Sequence, residues 1–380
     1  MNPRSLNFLT QNYQGPAYVY DTEILKARAA ELKSHLPQFQ IHYAVKANFH
    51  PQLLNILKQQ GLKVDTVSAG EINRALESGF LPEDVIYSGV GKTVREIDRA
   101  LDLDIYQLNI ESPSELKRVQ ERAAAKNKVA AIAFRINPDV DIKTHPYIAT
   151  GLSENKFGIA QADLPALYEE VKRSPNVSLK GLTMHLGSQM TDLGGFKEGL
   201  QKLRRLFLEA QSFFPSLDRF DIGGGIGIFY EDEDLSREKT LIANYGEAIK
   251  QELKGMNAHY QTEPGRWIAA RVGGLMAQVQ YIKHNGVKKF AILDSGMNHL
   301  MRPTLYSAFH RVLPLKIRPG NKEKYDIVGP ICESSDFFAK NREMTPLEEG
   351  DFVWIADSGA YGSVMASAYN LHPFPQEIFL

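Results

Sequence analysis

A lysine closes the short apolar run Ile41-His42-Tyr43-Ala44-Val45-Lys46. An ammonium at the mouth end of a buried strand is partly desolvated, and its pKa falls toward that of a usable amine. Such an amine attacks carbonyls and forms imines. An ion pair with a neighbouring carboxylate is the competing use of the same residue. Far downstream, Gly223-Gly224-Gly225 can lay successive backbone N–H groups against an anion, with no side chain in the way. A tight turn is the plainer reading of three glycines. His185 and Ser188 offer an imidazole and a hydroxyl, and Glu263 and Arg266 a carboxylate and a guanidinium fork. A further group comprises Arg302, Tyr306, Cys332, Glu333 and Tyr361. Arginine, thiol, carboxylate and two tyrosines suit recognition of an amino acid charged at both ends. Taken singly, each has an ordinary use, as a rim ion pair, a small core thiol or packed rings.

These residues need elements that bring them together. Apolar or β-branched runs fall near residues 41–45, 63–67, 85–88, 105–110, 129–136, 178–185, 218–223 and 258–263. Amphipathic stretches separate them, among them 69–78, 113–125, 164–172 and 194–213. Several begin with helix-start signals: Pro51 after His50, Thr93 with Glu96, and Ser112-Pro113 with Glu115. Strand–helix alternation implies a parallel sheet, and about eight units is the count of a closed, TIM-like (β/α)₈ barrel. Barrel sites form at the carboxyl ends of strands, which is where Lys46, His185, Ser188, the glycine run and Glu263 fall. After residue 266 short β-type runs follow, at 275–282, 290–293, 312–317, 325–328 and 352–356, broken by Asn285-Gly286, Pro319-Gly320 and Gly350-Asp351. The expected organisation is an α/β barrel over 18–265 and a C-terminal all-β domain over 266–380, joined by residues 1–17. Tyr18-Val19-Tyr20 precedes the barrel pattern and is a candidate strand of that second domain.

Composition narrows the function. The chain has 380 residues, 43% of them hydrophobic, with 44 basic and 45 acidic side chains and a net charge of -1. Near-neutrality with no basic block argues against nucleic acid or an anionic membrane as partner. One cysteine cannot make an intrachain disulfide, which fits a reducing cytoplasm. The opening residues lack the apolar core of a signal peptide, and no apolar run reaches membrane-spanning length.

An imine-forming lysine and a phosphate cradle in one barrel mouth point to pyridoxal 5'-phosphate, with Glu263 against the pyridine nitrogen and His185 on the ring face. A phosphosugar aldolase also pairs a lysine with a barrel phosphate site, but has no need of a C-terminal β domain. The motifs carry a family resemblance. Arg135-Ile136-Asn137-Pro138-Asp139-Val140, the His145–Gly151 run with Lys156-Phe157-Gly158, His185–Gln189, Gly223–Gly227 and Glu263–Arg266 resemble those of the fold type III pyridoxal-phosphate decarboxylases, which share the alanine racemase fold. Gly296-Met297-Asn298 with Arg302-Pro303, and Cys332-Glu333-Ser334, resemble the branch of that family acting on diaminopimelate. The likeness runs from Tyr18 to Asn370, with modest departures at Ala69, Leu186 and Ser295.

The resemblance implies a carboxy-lyase that converts meso-2,6-diaminopimelate to L-lysine and carbon dioxide, the last step of lysine biosynthesis. It implies that Lys46 holds the cofactor as an imine, His185 stacks on its ring and Glu263 meets its nitrogen. Ser188, the Gly223, Gly224 and Gly225 backbone, Arg266 and Tyr361 would serve the phosphate. Arg266, Arg302, Tyr306, Glu333 and Tyr361 would hold the substrate, and Cys332 would donate the proton that replaces carbon dioxide. It further implies a homodimer whose site is shared across the interface. Sister enzymes for ornithine, arginine or carboxynorspermidine, and a non-catalytic pyridoxal-phosphate carrier, are the alternatives. The length of 143–156 suggests a lid over the substrate.

Overall fold

The computed structural model describes residues 3–140 and 155–380; the His145–Gly151 motif and most of the expected lid lie outside the described residues. The chain divides into two compact units, Arg28–Ile228 with Leu235–Trp267, and Met1–Ala27 with Phe229–Asp234 and Ile268–Leu380.

Among the described residues seventeen strands are formed. In chain order the first ten are β1 Ala17–Tyr20, β2 Phe39–Ala44, β3 Lys63–Thr66, β4 Val85–Tyr87, β5 Gln107–Ile110, β6 Ala130–Asn137, β7 Ile159–Ala160, β8 Val177–Met184, β9 Arg219–Asp221 and β10 His259–Thr262. The larger unit carries a parallel sheet in the order β5-β4-β3-β2-β10-β9-β8-β6-β7, and the β5–β6 pairing closes it into a barrel. Its eight barrel strands are the eight apolar runs of the sequence. The two-residue β7, paired to the end of β6, was not foreseen. Helices follow the strands and start where the capping residues stand. Ser68 and Ser112 accept N–H groups of Glu71 and Glu115, and Thr93 and Glu96 bond reciprocally.

The strand that carries the lysine departs from expectation in two ways. It is not apolar throughout, since His42 is fully buried in it. It also ends at Ala44, so that Lys46 sits in the following 3-10 turn, Val45–Ala47. That turn is held in place by the Ala44 N–H, which donates to Pro264 O at 3.1 Å.

The other unit is built on a mostly antiparallel sheet. Its later strands are β11 Gly273–Asn285, β12 Lys288–Leu293, β13 Val312–Pro314, β14 Glu323–Val328, β15 Phe337–Met344, β16 Phe352–Ile355 and β17 Gln376–Phe379. The order is β13-β16-β11-β12-β14-β15, with β1 pairing both β11 and β17. Residues 18–27, assigned to the barrel by the sequence boundary, therefore sit with this sheet: Tyr18 faces Leu275 and Glu377 in register. Leu6, Val19, Met276, Leu315 and Trp354 form one of its cores.

Candidate active site

The carboxyl ends of β2, β3, β4, β5 and β10 are linked by one hydrogen-bond chain. Lys46 Nζ lies 2.8 Å from Asp65 Oδ2, so the lysine does make an ion pair. Asp65 is fully buried, whereas the lysine side chain keeps about a third of its surface, 36%, open to solvent. Ser88 Oγ donates to Asp65 Oδ1 at 2.6 Å, and Asn109 Nδ2 donates to Ser88 Oγ at 2.9 Å and to Glu263 Oε1 at 3.4 Å. The Asp65 bond thus anchors the amine within a polar network while part of the side chain stays open to solvent, so the two uses of the lysine are compatible.

This mouth holds more carboxylate than cation. Asp65, Asp221 and Glu263 are all buried. Burial, followed by the neighbouring Asp221 and Asp65 carboxylates, pushes Glu263 well above the usual carboxyl range. Asp221 is raised as well, chiefly by burial. Burial pushes Glu71 up to about 7, although the Lys46 charge opposes it. The nearby guanidinium of Arg135 is already held at 3.0 Å by both oxygens of Glu111. A protonated ring nitrogen beside Glu263 would offset the remaining excess of carboxylate, and in this respect the residues fit pyridoxal phosphate.

His185 follows β8. Burial, and then the Arg135 and Lys46 charges, hold it well below the ordinary histidine value. Its Nδ1 accepts the Gly224 N–H at 3.2 Å, which requires a neutral ring. A neutral, oriented imidazole suits stacking on a cationic heterocycle. Arg266 donates to Ser188 Oγ from Nε at 3.4 Å and from Nη2 at 3.2 Å, so hydroxyl and guanidinium converge as an anion site requires.

The glycine run differs from expectation. The Gly223 N–H donates to Asp221 Oδ1 at 2.8 Å and the Gly224 N–H to His185. Two of the three N–H groups are thus committed inside the protein. What demands glycine is close backbone approach. A Cβ on Gly223, Gly224 or Gly225 would lie 2.1 Å from Met184 O, 2.0 Å from Glu263 O or 2.2 Å from Gly187 O. Gly223 and Gly225 also have φ of +66° and +104°. The run lets three strand ends meet, and any anion contact falls to fewer N–H groups than the sequence suggests.

Asp65 and Asn109 act through partners on other strands, which no local spacing in the sequence marks. Arg135 and Asn137 order a loop. Glu111, held by Arg135, accepts the Gly158 N–H at 3.2 Å, and Asn137 Nδ2 donates to Phe157 O at 3.2 Å.

The second unit carries the other candidates. Arg302 opens the short helix Arg302–Tyr306, is buried, and donates from Nη1 to His310 Nε2 at 2.6 Å. Cys332 is a free, exposed thiol. Its N–H donates to Asn370 Oδ1 at 3.2 Å, and neighbouring Glu333 accepts the Tyr369 hydroxyl at 2.7 Å. Asp336 shapes this loop by accepting the Met297 and Ile331 N–H groups at 2.6 and 2.7 Å. Tyr361 has φ of +56°, uncommon for a tyrosine. Tyr306 is half-buried.

Residues 22–270 match the pyridoxal binding domain of pyridoxal-dependent decarboxylases. A diaminopimelate decarboxylase of Aquifex aeolicus is 39% identical over 99% of this chain and 89% of its own length. One from Pseudomonas fluorescens is 42% identical over 96% of this chain and 88% of its own. Among solved structures, the Helicobacter pylori diaminopimelate decarboxylase complexed with L-lysine superposes with a TM-score of 0.92 at 40% identity, covering 98% of this chain and 93% of that one.

Proposed function

Since the chain belongs to the pyridoxal-dependent decarboxylase family, among the diaminopimelate decarboxylases, we propose that it removes carbon dioxide from meso-2,6-diaminopimelate to leave L-lysine, the closing step of lysine biosynthesis. The observation that carries this reading is the likeness to enzymes of that one activity over nearly the whole length of both chains. A relative crystallised with L-lysine holds the product this reaction would give.

Pyridoxal phosphate, when bound, supplies the electron sink for the pair left on the α-carbon as carbon dioxide departs. The chain's residues do the rest. Lys46 offers the amine that holds the cofactor, steadied by Asp65. Glu263 would face the ring nitrogen as a carboxylate, because the ring's positive charge would offset the burial and the Asp221 and Asp65 charges that otherwise keep its proton on. His185 would lie against the ring as a neutral imidazole, the state its Nδ1 bond to the Gly224 N–H requires. Ser188, Arg266 and Tyr361 would hold the phosphate, with the glycine run contributing fewer than three N–H groups because those of Gly223 and Gly224 already donate to Asp221 and His185. Arg302, Tyr306, Glu333, Tyr361 and Arg266 read the distal amino-acid end. Cys332 delivers a proton to the carbon that lost its carboxylate.

The same reading makes the protein a cytoplasmic homodimer in which the Cys332-Glu333 loop serves the partner's site. The loop is exposed and bonded to the segment of Tyr369 and Asn370, where Leu371 and Phe374 are also exposed. Exposed apolar side chains beside this loop support that reading. Among the described residues no helix is long and apolar enough to cross a membrane.

The test is to incubate the cofactor-loaded protein with meso-diaminopimelate and measure both products. Carbon dioxide and L-lysine in equal amounts are expected; cofactor bound through Lys46 with no release of either rejects the reading.

A further inference from the structure

We propose that His310 is a positioning residue that aims the Arg302 guanidinium, and so sets how tightly the distal carboxylate of the substrate is held. The inference rests on the reading that Arg302 meets that carboxylate. His310 is fully buried, and its two ring nitrogens face partners whose roles cannot be exchanged. A guanidinium has only N–H groups, so Arg302 Nη1 donates and His310 Nε2, 2.6 Å away, accepts. A carbonyl only accepts, so His310 Nδ1 carries the hydrogen that reaches Ala356 O at 2.8 Å. The imidazole is therefore neutral and held in a single tautomer.

Tyr230 completes the cluster. Its ring meets His310 nearly edge-on at 5.2 Å, and the Arg302 guanidinium carbon lies 4.5 Å from its centre. The supports on either side share one ion cluster. Arg271 donates to Phe229 O at 2.7 Å, next to Tyr230, and pairs at 2.9 Å with Asp357, next to Ala356; Arg311 pairs with the same carboxylate at 3.1 Å. The consequence concerns charge. A carboxylate at position 310 would also orient the guanidinium, but would cancel much of its charge. A neutral imidazole fixes the direction of the fork without adding a negative charge of its own. Sequence offered no hint of this, because a lone histidine eight residues beyond an arginine has no recognisable pattern.

L-Lysine retains the distal carboxylate, so its equilibrium binding reports on Arg302 without turnover. In cofactor-loaded protein, His310→Phe is expected to weaken L-lysine binding and raise KM for meso-diaminopimelate by the same factor, roughly tenfold or more, with kcat nearly unchanged. His310→Gln, which keeps a neutral acceptor, should recover most of that loss. His310→Glu should not, despite its stronger acceptor. Wild-type lysine affinity in the Phe and Glu variants overturns the inference while leaving the functional reading intact. So does a Gln variant that melts like wild type yet loses as much affinity as Phe. A wild-type protein that neither binds lysine nor releases carbon dioxide overturns the functional reading, and this inference with it.

Discussion

Gly224→Ala puts a methyl group where the backbone leaves no room, and the consequences follow from the distances. The new Cβ would stand 2.0 Å from Glu263 O and 2.8 Å from its carbonyl carbon. Real Cβ contacts stay beyond 3.0 Å, so the strand ends must part by about 1 Å. Neither neighbour is a flexible side-chain tip that could swing aside. Overpacking of this kind costs about 1–3 kcal/mol. At about 2–4 °C per kcal/mol for a unit of this size, the melting temperature should fall by roughly 2–12 °C. The functional loss should be larger than the stability loss suggests. The displacement acts on the backbone of Glu263 and on the 3.2 Å bond from the Gly224 N–H to His185. A misplacement of about 1 Å can reduce turnover on the order of a hundredfold. Gly91→Ala is the control, since nothing lies within 4 Å of its Cβ. Calorimetry, the absorbance of bound cofactor and turnover of meso-diaminopimelate read the three effects. A Gly224→Ala protein that melts and turns over like the Gly91→Ala control would refute the claim that close approach, rather than turn geometry, requires this glycine.

Glu263→Gln should lower turnover roughly ten- to a hundredfold, the cost of replacing a charge-assisted bond by a neutral one. The same substitution should flatten the pH dependence of apo-protein stability. Glu263, Asp221 and Glu71 are raised in the folded chain, so between about pH 4 and 7 the folded state keeps protons that the unfolded state releases, and stability falls as pH rises. Urea midpoints of the apo wild type at pH 5 and 8 should differ in that direction, and by less in the variant; an identical slope would count against the crowded-carboxylate account. Arg302→Ala should raise KM for meso-diaminopimelate at least about tenfold with cofactor absorbance unchanged, and a matching loss of cofactor would remove Arg302 from substrate recognition.

Much of the barrel was legible because a parallel strand buried on both faces reads as a short β-branched or apolar run. His50-Pro51, Thr93 and Ser112 likewise marked helix starts through chemistry local to each cap. What was not legible depended on distant partners. β17 forms on β1, across almost the whole chain, and β15 reads as polar because much of Phe337–Met344 faces solvent. The site divides in the same way. Lys46, His185, Ser188, Glu263 and Arg266 could be selected by type and position at strand ends. The Asp65 bond to Lys46, the commitment of the Gly223 and Gly224 N–H groups, and the grip of His310 on Arg302 are contacts between separate segments. No local spacing encodes them.

The most direct test of the account is a comparison of kcat/KM among amino acids. The holo-protein should release carbon dioxide from meso-diaminopimelate with a preference over ornithine, arginine and lysine of up to about 10⁴–10⁵, because a substrate without the distal carboxylate forgoes the charge-assisted contact proposed for Arg302. Comparable rates on ornithine or arginine, or no carbon dioxide from meso-diaminopimelate, would contradict it.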